Sequence, residues 1–412
     1  MPYIQGRRCK LEPDAKLLET ARALKDQLIA WRRDFHRHPE TGYEEFRTSS
    51  IVADHLRALG LEVTCNVGKT GVVGLLRGEE PGPTFGLRAD MDALPIQDRK
   101  SVEYCSLVPG KAHLCGHDAH TSMLMGAAQL LTGLGRPKRG NIKFVFQPAE
   151  EGLAGAKAMM DDGVLENPKV DAMAGLHVFP SLNTGTISVT KGVAFASADS
   201  ISIKIIGKGG HAARPHEAVD AITVAAKVID AIQHIASRLV DPLEPVVVTI
   251  GKIQGGYMGT AIAPEVEMVG TVRALTPELR ERMPGLLERI IRGVTDSFGA
   301  SYEFKYNMGY PPVVNNEDMV DFLTKTSERL FGDKRWKYAK PSMGGEDFAF
   351  YSLSVPSVFF RLGVHNGQEY TGYPLHHPMF DLDEEALPYG VAMLSAVALN
   401  YLSDSSSIHS SI

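Results

Sequence analysis

The sequence predicts an α/β protein on a largely parallel sheet, with a separate α+β unit inserted into it. Three observations carry that prediction. Short apolar runs, as in strands covered on both faces, alternate with helical patterns through the first half of the chain. The middle changes to strands that alternate apolar and polar residues, in the order βαββαβ. After that stretch the α/β pattern resumes.

In chain order, residues 14 to 60 read as two helices around a His/Pro break at His36-Arg37-His38-Pro39. Phe85–Ala89 and Ile142–Phe146 read as buried strands, with helices at about Thr121–Leu131 and Ala154–Asp161 and a further apolar run at Ala172–Val178. Ile201, Ile203 and Ile205 alternate with polar residues, which marks a half-buried strand. A helix follows over Ala218–Arg238, then strands Val246–Lys252 and Glu265–Ala274 joined by a Gly-rich link. A second helix starts near Thr276-Pro277 and runs to Asp296, and a last strand covers Tyr302–Asn307. Val358–Gly363 and a closing helix over Glu384–Leu402 return to α/β patterning. The expected division is 1–190 and 307–412 for the α/β domain and 191–306 for the insertion, without internal repeats.

Bulk properties bound the function. A chain of 412 residues is long enough for two or more domains. Its 44% hydrophobic and 22% charged content is ordinary for globular proteins. With 43 Lys+Arg against 49 Asp+Glu, the net charge of −6 offers no electrostatic footprint for nucleic acid or an anionic membrane. Met1–Lys10 is polar and basic with no apolar stretch behind it, so no secretory signal is expected. No segment is read as approaching the roughly 20 apolar residues that span a bilayer. Cys9, Cys65, Cys105 and Cys115 lack disulfide-framework spacing, which fits a reduced cytoplasmic setting. The Ser-rich tail Ser403–Ile412 reads as frayed.

Four segments carry chemistry. The densest is His113-Leu114-Cys115-Gly116-His117-Asp118-Ala119-His120. The glycine between Cys115 and His117 lets the backbone turn both side chains toward one point, and thiolate with imidazole suits Zn²⁺-like ions. A buried cysteine beside surface histidines gives the same pattern. The second is Glu150-Glu151 after the strand ending in Phe146. Two neighbouring carboxylates can divide the labour between metal binding and general base, or simply cap the next helix. The third is His177 at the end of an apolar run, where a hydrogen-bonded core histidine is the common alternative, and the fourth is the pair His376-His377.

Taken together with other motifs, these segments resemble the M20 metallopeptidase family in its aminoacylase, hippurate hydrolase and auxin-conjugate amidohydrolase branch. The matching stretches are Trp31-Arg-Arg-Asp-Phe-His-Arg-His-Pro-Glu40, Arg88-Ala-Asp-Met-Asp-Ala-Leu-Pro95, Cys115–His120, Gln147–Glu151, Gly175-Leu-His177, Gly209–His216, Gly344-Gly-Glu-Asp-Phe348 and His376. The resemblance implies a metallohydrolase domain with an inserted ferredoxin-like lid or dimerisation domain, and a homo-oligomer (dimer or tetramer) formed through it. It further implies two divalent metal ions, Zn, Mn, Co or Ni, held by Cys115, His117, Glu151, His177 and His376. Cys115 would bridge them, His117 and His177 would serve one ion, and Glu151 and His376 the other. Glu150 would be the general base that activates a metal-bound water and protonates the leaving amine.

The same resemblance assigns supporting roles. Asp90 and Asp92 become structural groups behind the ligands, Asp118 and His120 orient them, and His36 and His38 become helix-end packing groups. His377 is the alternative to His376. His211 becomes an oxyanion-side hydrogen-bond donor, and Arg273 a grip for a substrate carboxylate. A turn histidine and a strand-surface arginine are the plainer readings of those two. Gly207-Lys208-Gly209-Gly210-His211 lacks the phosphate-loop pattern. One position departs from the family: Thr260, in Gly255-Gly-Tyr-Met-Gly-Thr-Ala-Ile-Ala263, stands where an asparagine that holds substrate is usual. The expected activity is hydrolysis of small-molecule N-acyl amino acids, with a metallocarboxypeptidase acting on short peptides as the alternative. The intact Glu150 and ligand positions argue against a non-catalytic protein on the same fold.

Overall fold

In a computed structural model the protein is described over residues 13–332 and 335–404. Cys9, Met1–Lys10 and the tail beyond Asp404 lie outside the described residues. The chain divides into two compact units, the first of residues 1–192, 315–339 and 350–412 and the second of 193–314 and 340–349.

The first unit opens with helices α1 (Pro13–Ala23), α2 (Lys25–Arg37) and α3 (Phe46–Ala58). Three helices therefore stand where two were expected. The extra break falls at Leu24, whose amide bonds back to Ala21, and no proline or glycine announces it. Strands β1 (Glu62–Val67), β2 (Gly71–Arg77) and β3 (Glu80–Asp90) lead to α4 (His117–Gly133), β4 (Arg139–Gln147), α5 (Gly155–Asp161), β5 (Ala172–Asn183) and the short β6 (Ile187–Val189).

The chain then enters the second unit through β7 (Ala198–Ile206), the two-residue β8 (Gly210–His211) and α6 (Ala221–His234). There follow β9 (Val246–Gly255), the two-residue β10 (Ala261–Ile262), β11 (Glu265–Ala274), α7 (Pro277–Phe298) and β12 (Ser301–Tyr310). The first unit is completed by α8 (Glu317–Phe331), β13 (Trp336–Tyr338), β14 (Ser357–His365) and α9 (Leu387–Asp404).

The eight strands of the first unit lie in the order β1-β2-β4-β3-β5-β14-β6-β13. The sheet is mixed, which corrects the expected largely parallel one. β4, β3, β5 and β14 run parallel, but β1–β2, β2–β4 and β14–β6 are antiparallel. The hairpin β1–β2 turns at Gly68-Lys69, both at positive φ, and so reverses the chain without a crossover helix. The parallel strands still read as largely apolar runs because both of their faces are covered; Phe85, Phe144 and Phe146 are fully buried.

Behind this sheet lies α4, buried on nearly every side from His117 to Leu131. At its middle, a Cβ on Gly126 would come within 2.5 Å of Leu28 and 2.9 Å of Val391, so a glycine lets α2 and α9 pack close against it. The closing segment Glu384–Ser403 is in fact long and apolar enough to cross a membrane, contrary to the expectation that no segment was. Its window is 78% buried, however, as in a core helix of this unit.

Arg32, on α2, is wholly buried and ties α2 to the site loops. It bonds Asp118 at 2.9 Å and Asp381 at 2.8 Å, with Glu384 at 3.3 Å. A buried guanidinium demands such partners.

In the second unit the sheet order is β9-β11-β7-β12, antiparallel throughout. Ile201, Ile203 and Ile205 of β7 and Val266, Met268 and Val272 of β11 turn inward against α6 and α7, which contribute Val224, Val228, Leu279, Met283, Leu287 and Ile291. Asp220 caps α6, Thr276 caps α7, and Gly299 ends α7 in the left-handed region.

Candidate active site

At the carboxyl edge of the parallel strands, Asp90 of β3 lies opposite Gln147 of β4, and Arg88 lies opposite Gly175, two residues before His177 on β5. Such edges are where open α/β sheets place ligands. The loops leaving this edge bring Cys115, His117, Glu150 and Glu151 to it, and Leu375–Phe380 adds His376.

Gly116 makes the first turn possible. Its φ of +89° suits glycine, and a Cβ there would meet Val178 Cγ2 at 2.3 Å. Cys115 and His117 can therefore project together from the start of α4. The Cys115 Sγ lies 3.3 Å from His177 Nε2. His177 Nδ1 lies 2.7 Å from the Val178 carbonyl, which makes Nδ1 the protonated nitrogen and leaves Nε2 with the lone pair.

His117 is held the same way. Its Nδ1 faces the Asp92 carbonyl at 2.9 Å and the Asp92 carboxylate at 3.2 Å. The remaining Nε2 is buried with no hydrogen-bond partner. Asp92 also accepts the Glu151 amide through Oδ2 at 2.9 Å. Glu151 Oε1 has no hydrogen-bond partner either; His376 Nε2 is 3.3 Å away, at ion-pair distance but out of hydrogen-bond alignment. His376 has a left-handed backbone, φ +66°, and its amide donates to Leu114 O at 2.8 Å. That strained turn brings its half-exposed ring beside Glu151. Its neighbour His377 stacks on Tyr373 at 4.7 Å and accepts the Met379 amide, so it serves the loop.

The donors fall in overlapping triads whose ligand atoms lie within 4.8 Å of one another. These are Cys115, His117 and His177; Cys115, Glu151 and His376; and His117, Glu150 and Glu151. Cys115 belongs to the first two. Asp90, His117 and His120 also cluster. Both nitrogens of His120 are taken, however, by Asp90 at 2.6 Å and by the Val178 amide at 2.9 Å, so His120 braces β5 beside His177.

The electrostatics of these residues call for positive charge. Burial, then Glu151, Glu150 and Asp90, push the Cys115 thiol well above its ordinary range. Burial would depress His117, but Asp90, Asp92 and Glu151 outweigh it and push it up to about 10. A thiol, imidazoles and carboxylates crowded together, with His117 Nε2 and Glu151 Oε1 lacking hydrogen bonds, fit divalent cations. A cation would supply the missing charge, deprotonate the thiol and free the His117 lone pair.

A sequence model described as peptidase family M20/M25/M40 matches residues 86–400. The chain belongs to this family. It is similar to an N-acyl-L-amino acid amidohydrolase of Geobacillus stearothermophilus, 43% identical over 72% of this chain and 80% of that protein. It is also similar to thermostable carboxypeptidase 2 of Saccharolobus solfataricus, 37% identical over 94% of this chain and 98% of the relative. Among solved structures, a dinuclear metal-binding peptidase of the M20 family from Bacillus subtilis superposes with a TM-score of 0.80. It is 36% identical and covers 93% of this chain and 99% of its own. The protein is thus an M20-family hydrolase.

In this M20-family chain the sequence-predicted His211, Thr260 and Arg273 belong to the second unit, and His36 and His38 to the first. His211 sits on β8, paired to Ala261 of β10, and its Nδ1 accepts the Ala213 amide at 3.1 Å. Thr260 is exposed beside it, and its carbonyl accepts the Ala212 amide. Arg273 is half-buried on β11, and burial lowers the pKa of its guanidinium, with Asp199 opposing that shift. His36 is a buried bridge between Asp118 at 2.6 Å and Asp98 at 3.2 Å, while His38 bonds the Asp34 carbonyl at its helix end.

Sequence reasoning missed Glu45 and Arg32. Glu45 is fully buried and accepts the Ala149 amide from the Glu150 segment. In sequence it reads as an ordinary acidic residue at a helix start, and its partner lies 104 residues away.

Proposed function

We propose that this M20-family hydrolase cleaves the amide bond of N-acyl amino acids, releasing a carboxylic acid and a free amino acid. The observation that carries the reading is the pair of donor triads sharing Cys115 with Glu150 beside them. The relative named as an N-acyl-L-amino acid amidohydrolase supports the substrate class.

Cys115, His117 and His177 would hold one divalent ion, and Cys115, Glu151 and His376 a second. When bound, the ions polarise the scissile carbonyl and acidify the attacking water. Glu150 then takes the proton from that water and delivers it to the leaving nitrogen. Asp92 keeps His117 in the tautomer that offers Nε2 and holds the Glu151 backbone. From the second unit, Arg273 is assigned to the substrate carboxylate and His211 to the developing oxyanion, with Thr260 as a specificity position. The second unit serves as a lid and dimerisation element, and Cys65, Cys105 and Cys115, all free, accord with a cytoplasmic setting.

The second reading is a carboxypeptidase on short peptides, favoured by the Saccharolobus solfataricus relative. The test is hydrolysis of N-acetyl and N-benzoyl amino acids and dipeptides by metal-free, Zn²⁺-loaded and Mn²⁺-loaded protein beside Glu150→Ala. Metal-dependent release of amino acid from the N-acyl set, lost in Glu150→Ala, supports the first reading. Turnover of dipeptides alone supports the second. Protein that binds no divalent ion refutes both.

A further inference from the structure

What aims Glu150 is a separate question from what it does. Its segment has a strained backbone: Ala149 and Ala154 are left-handed at φ +55° and +57°, with Gly152 at +83° between them. Residues that carry a Cβ hold that conformation only when their surroundings impose it. Here both amides flanking Glu150 are pinned by carboxylates from elsewhere in the first unit. The Glu151 amide donates to Asp92 at 2.9 Å, and the Ala149 amide donates to Glu45 Oε1 at 2.8 Å.

Glu45 is placed for this and for little else. It stands at the N-cap of α3, where an acidic side chain ordinarily accepts its own helix amides, yet it makes no such bond. Glu40 does that instead, accepting the Arg47 and Thr48 amides at 2.9 and 2.8 Å. The Glu45 carboxylate is released to reach Ala149, and its other oxygen accepts the Thr70 hydroxyl at 2.5 Å. The loop before it closes the cradle. The Tyr43 hydroxyl donates to Leu153 O at 3.0 Å, and a Cβ on Gly42 would come within 3.1 Å of Ala149.

We propose that Glu45 is a positioning residue for Glu150: by holding the Ala149 amide it keeps Ala149 left-handed and sets the direction in which Glu150 leaves the end of β4. This rests on the reading of Glu150 as the general base. Without the carboxylate the Ala149 amide is buried with no acceptor, the local backbone relaxes, and the Glu150 carboxylate turns away from its working position. Glutamine retains an acceptor oxygen at the same reach, aspartate withdraws it by one methylene, and alanine abolishes it.

The experiment compares wild type, Glu45→Ala, Glu45→Gln, Glu45→Asp and Glu150→Ala, each Zn²⁺-loaded. It reads kcat and KM on an N-acyl amino acid, bound zinc, and deuterium exchange of amides 149–154. Glu45→Ala is expected to lower kcat about 10- to 100-fold, the scale of losing an outer supporting contact, with KM and bound zinc little changed. Exchange at Ala149 is expected to rise by a similar factor, and Glu45→Gln to restore both. Wild-type kcat in Glu45→Ala overturns the proposal, as does an equal loss in Ala and Gln with unchanged exchange. If wild type turns over no substrate, the functional reading fails by itself, and exchange still decides the clamp: a protected Ala149 amide in Glu45→Ala overturns it. Should Glu45→Ala not fold, Asp worse than Gln supports the proposal and the reverse order overturns it.

Discussion

The Nδ1 of His117 faces Asp92 twice, at 2.9 Å from its carbonyl and 3.2 Å from its carboxylate. The same Asp92 carboxylate accepts the Glu151 amide, so one buried side chain orients an imidazole and a carboxylate that approach the edge of the sheet from different loops. Asp92→Ala is expected to weaken divalent-ion binding by about 10- to 100-fold, as outer partners of metal ligands generally do. Competition with a chelator measures it, and unchanged affinity would remove Asp92 from the site.

Cys115 belongs to two of the donor triads, whereas both nitrogens of His120 are occupied by Asp90 and Val178. The two positions should therefore separate. Cys115→Ala is expected to cut the bound metal per chain. His120→Ala is expected to cost about 1–3 kcal/mol of stability through a buried amide and one carboxylate oxygen left without a partner. Metal analysis beside urea unfolding distinguishes them, and stoichiometric metal in Cys115→Ala would contradict the bridging role.

At Gly116 the left-handed backbone and the 2.3 Å approach to Val178 leave no room for a methyl group. Gly116→Ala is expected to lower stability by roughly 2–3 kcal/mol from strain and overpacking together. A thermal melt within a degree of wild type would show that the turn can rearrange.

The buried Glu45 carboxyl has a pKa raised from 4.5 to about 7, mainly by burial, with the charge of Asp92 adding to it. A carboxyl raised in the folded state binds its proton more tightly there than in the unfolded chain. It therefore favours folding below pH 4.5, and that contribution is lost as the pH rises through 7. The size is on the order of 3 kcal/mol. In chelator-treated protein, the stability of wild type relative to Glu45→Gln is expected to fall between pH 4.5 and 7.5. A difference that does not change with pH would show that Glu45 titrates normally.

Much of the chemistry was legible because it is local. Cys115-Gly116-His117 declares a turn and two donors in three residues, and Glu150-Glu151 after an apolar run declares carboxylates at a strand end. The α/β class was legible for the same reason: strands buried on both faces are largely apolar, as Phe85–Ala89 and Ile142–Phe146 are apart from Arg88 and Lys143. The direction of the edge strands was not, because β1 and β2 bury their residues equally well whether paired parallel or antiparallel. The break at Leu24 escaped because no helix-breaking residue marks it. The closing helix passes a membrane span's test of length and composition, because a core helix and a span share a composition and differ only in what surrounds them.

By itself, then, the sequence determined which donor types the protein has, the turns that present them, and its membership of the M20 family. Only the tertiary structure decided which groups meet. It brought left-handed His376 beside Cys115 and Glu151, gave Asp92 two loops to hold, and sent Glu45 to an amide 104 residues away. The physical reason is one of range. Side-chain periodicity and turn chemistry act over a few residues, whereas the distance between two loops is set by strand order and register across the whole sheet, which no local pattern encodes.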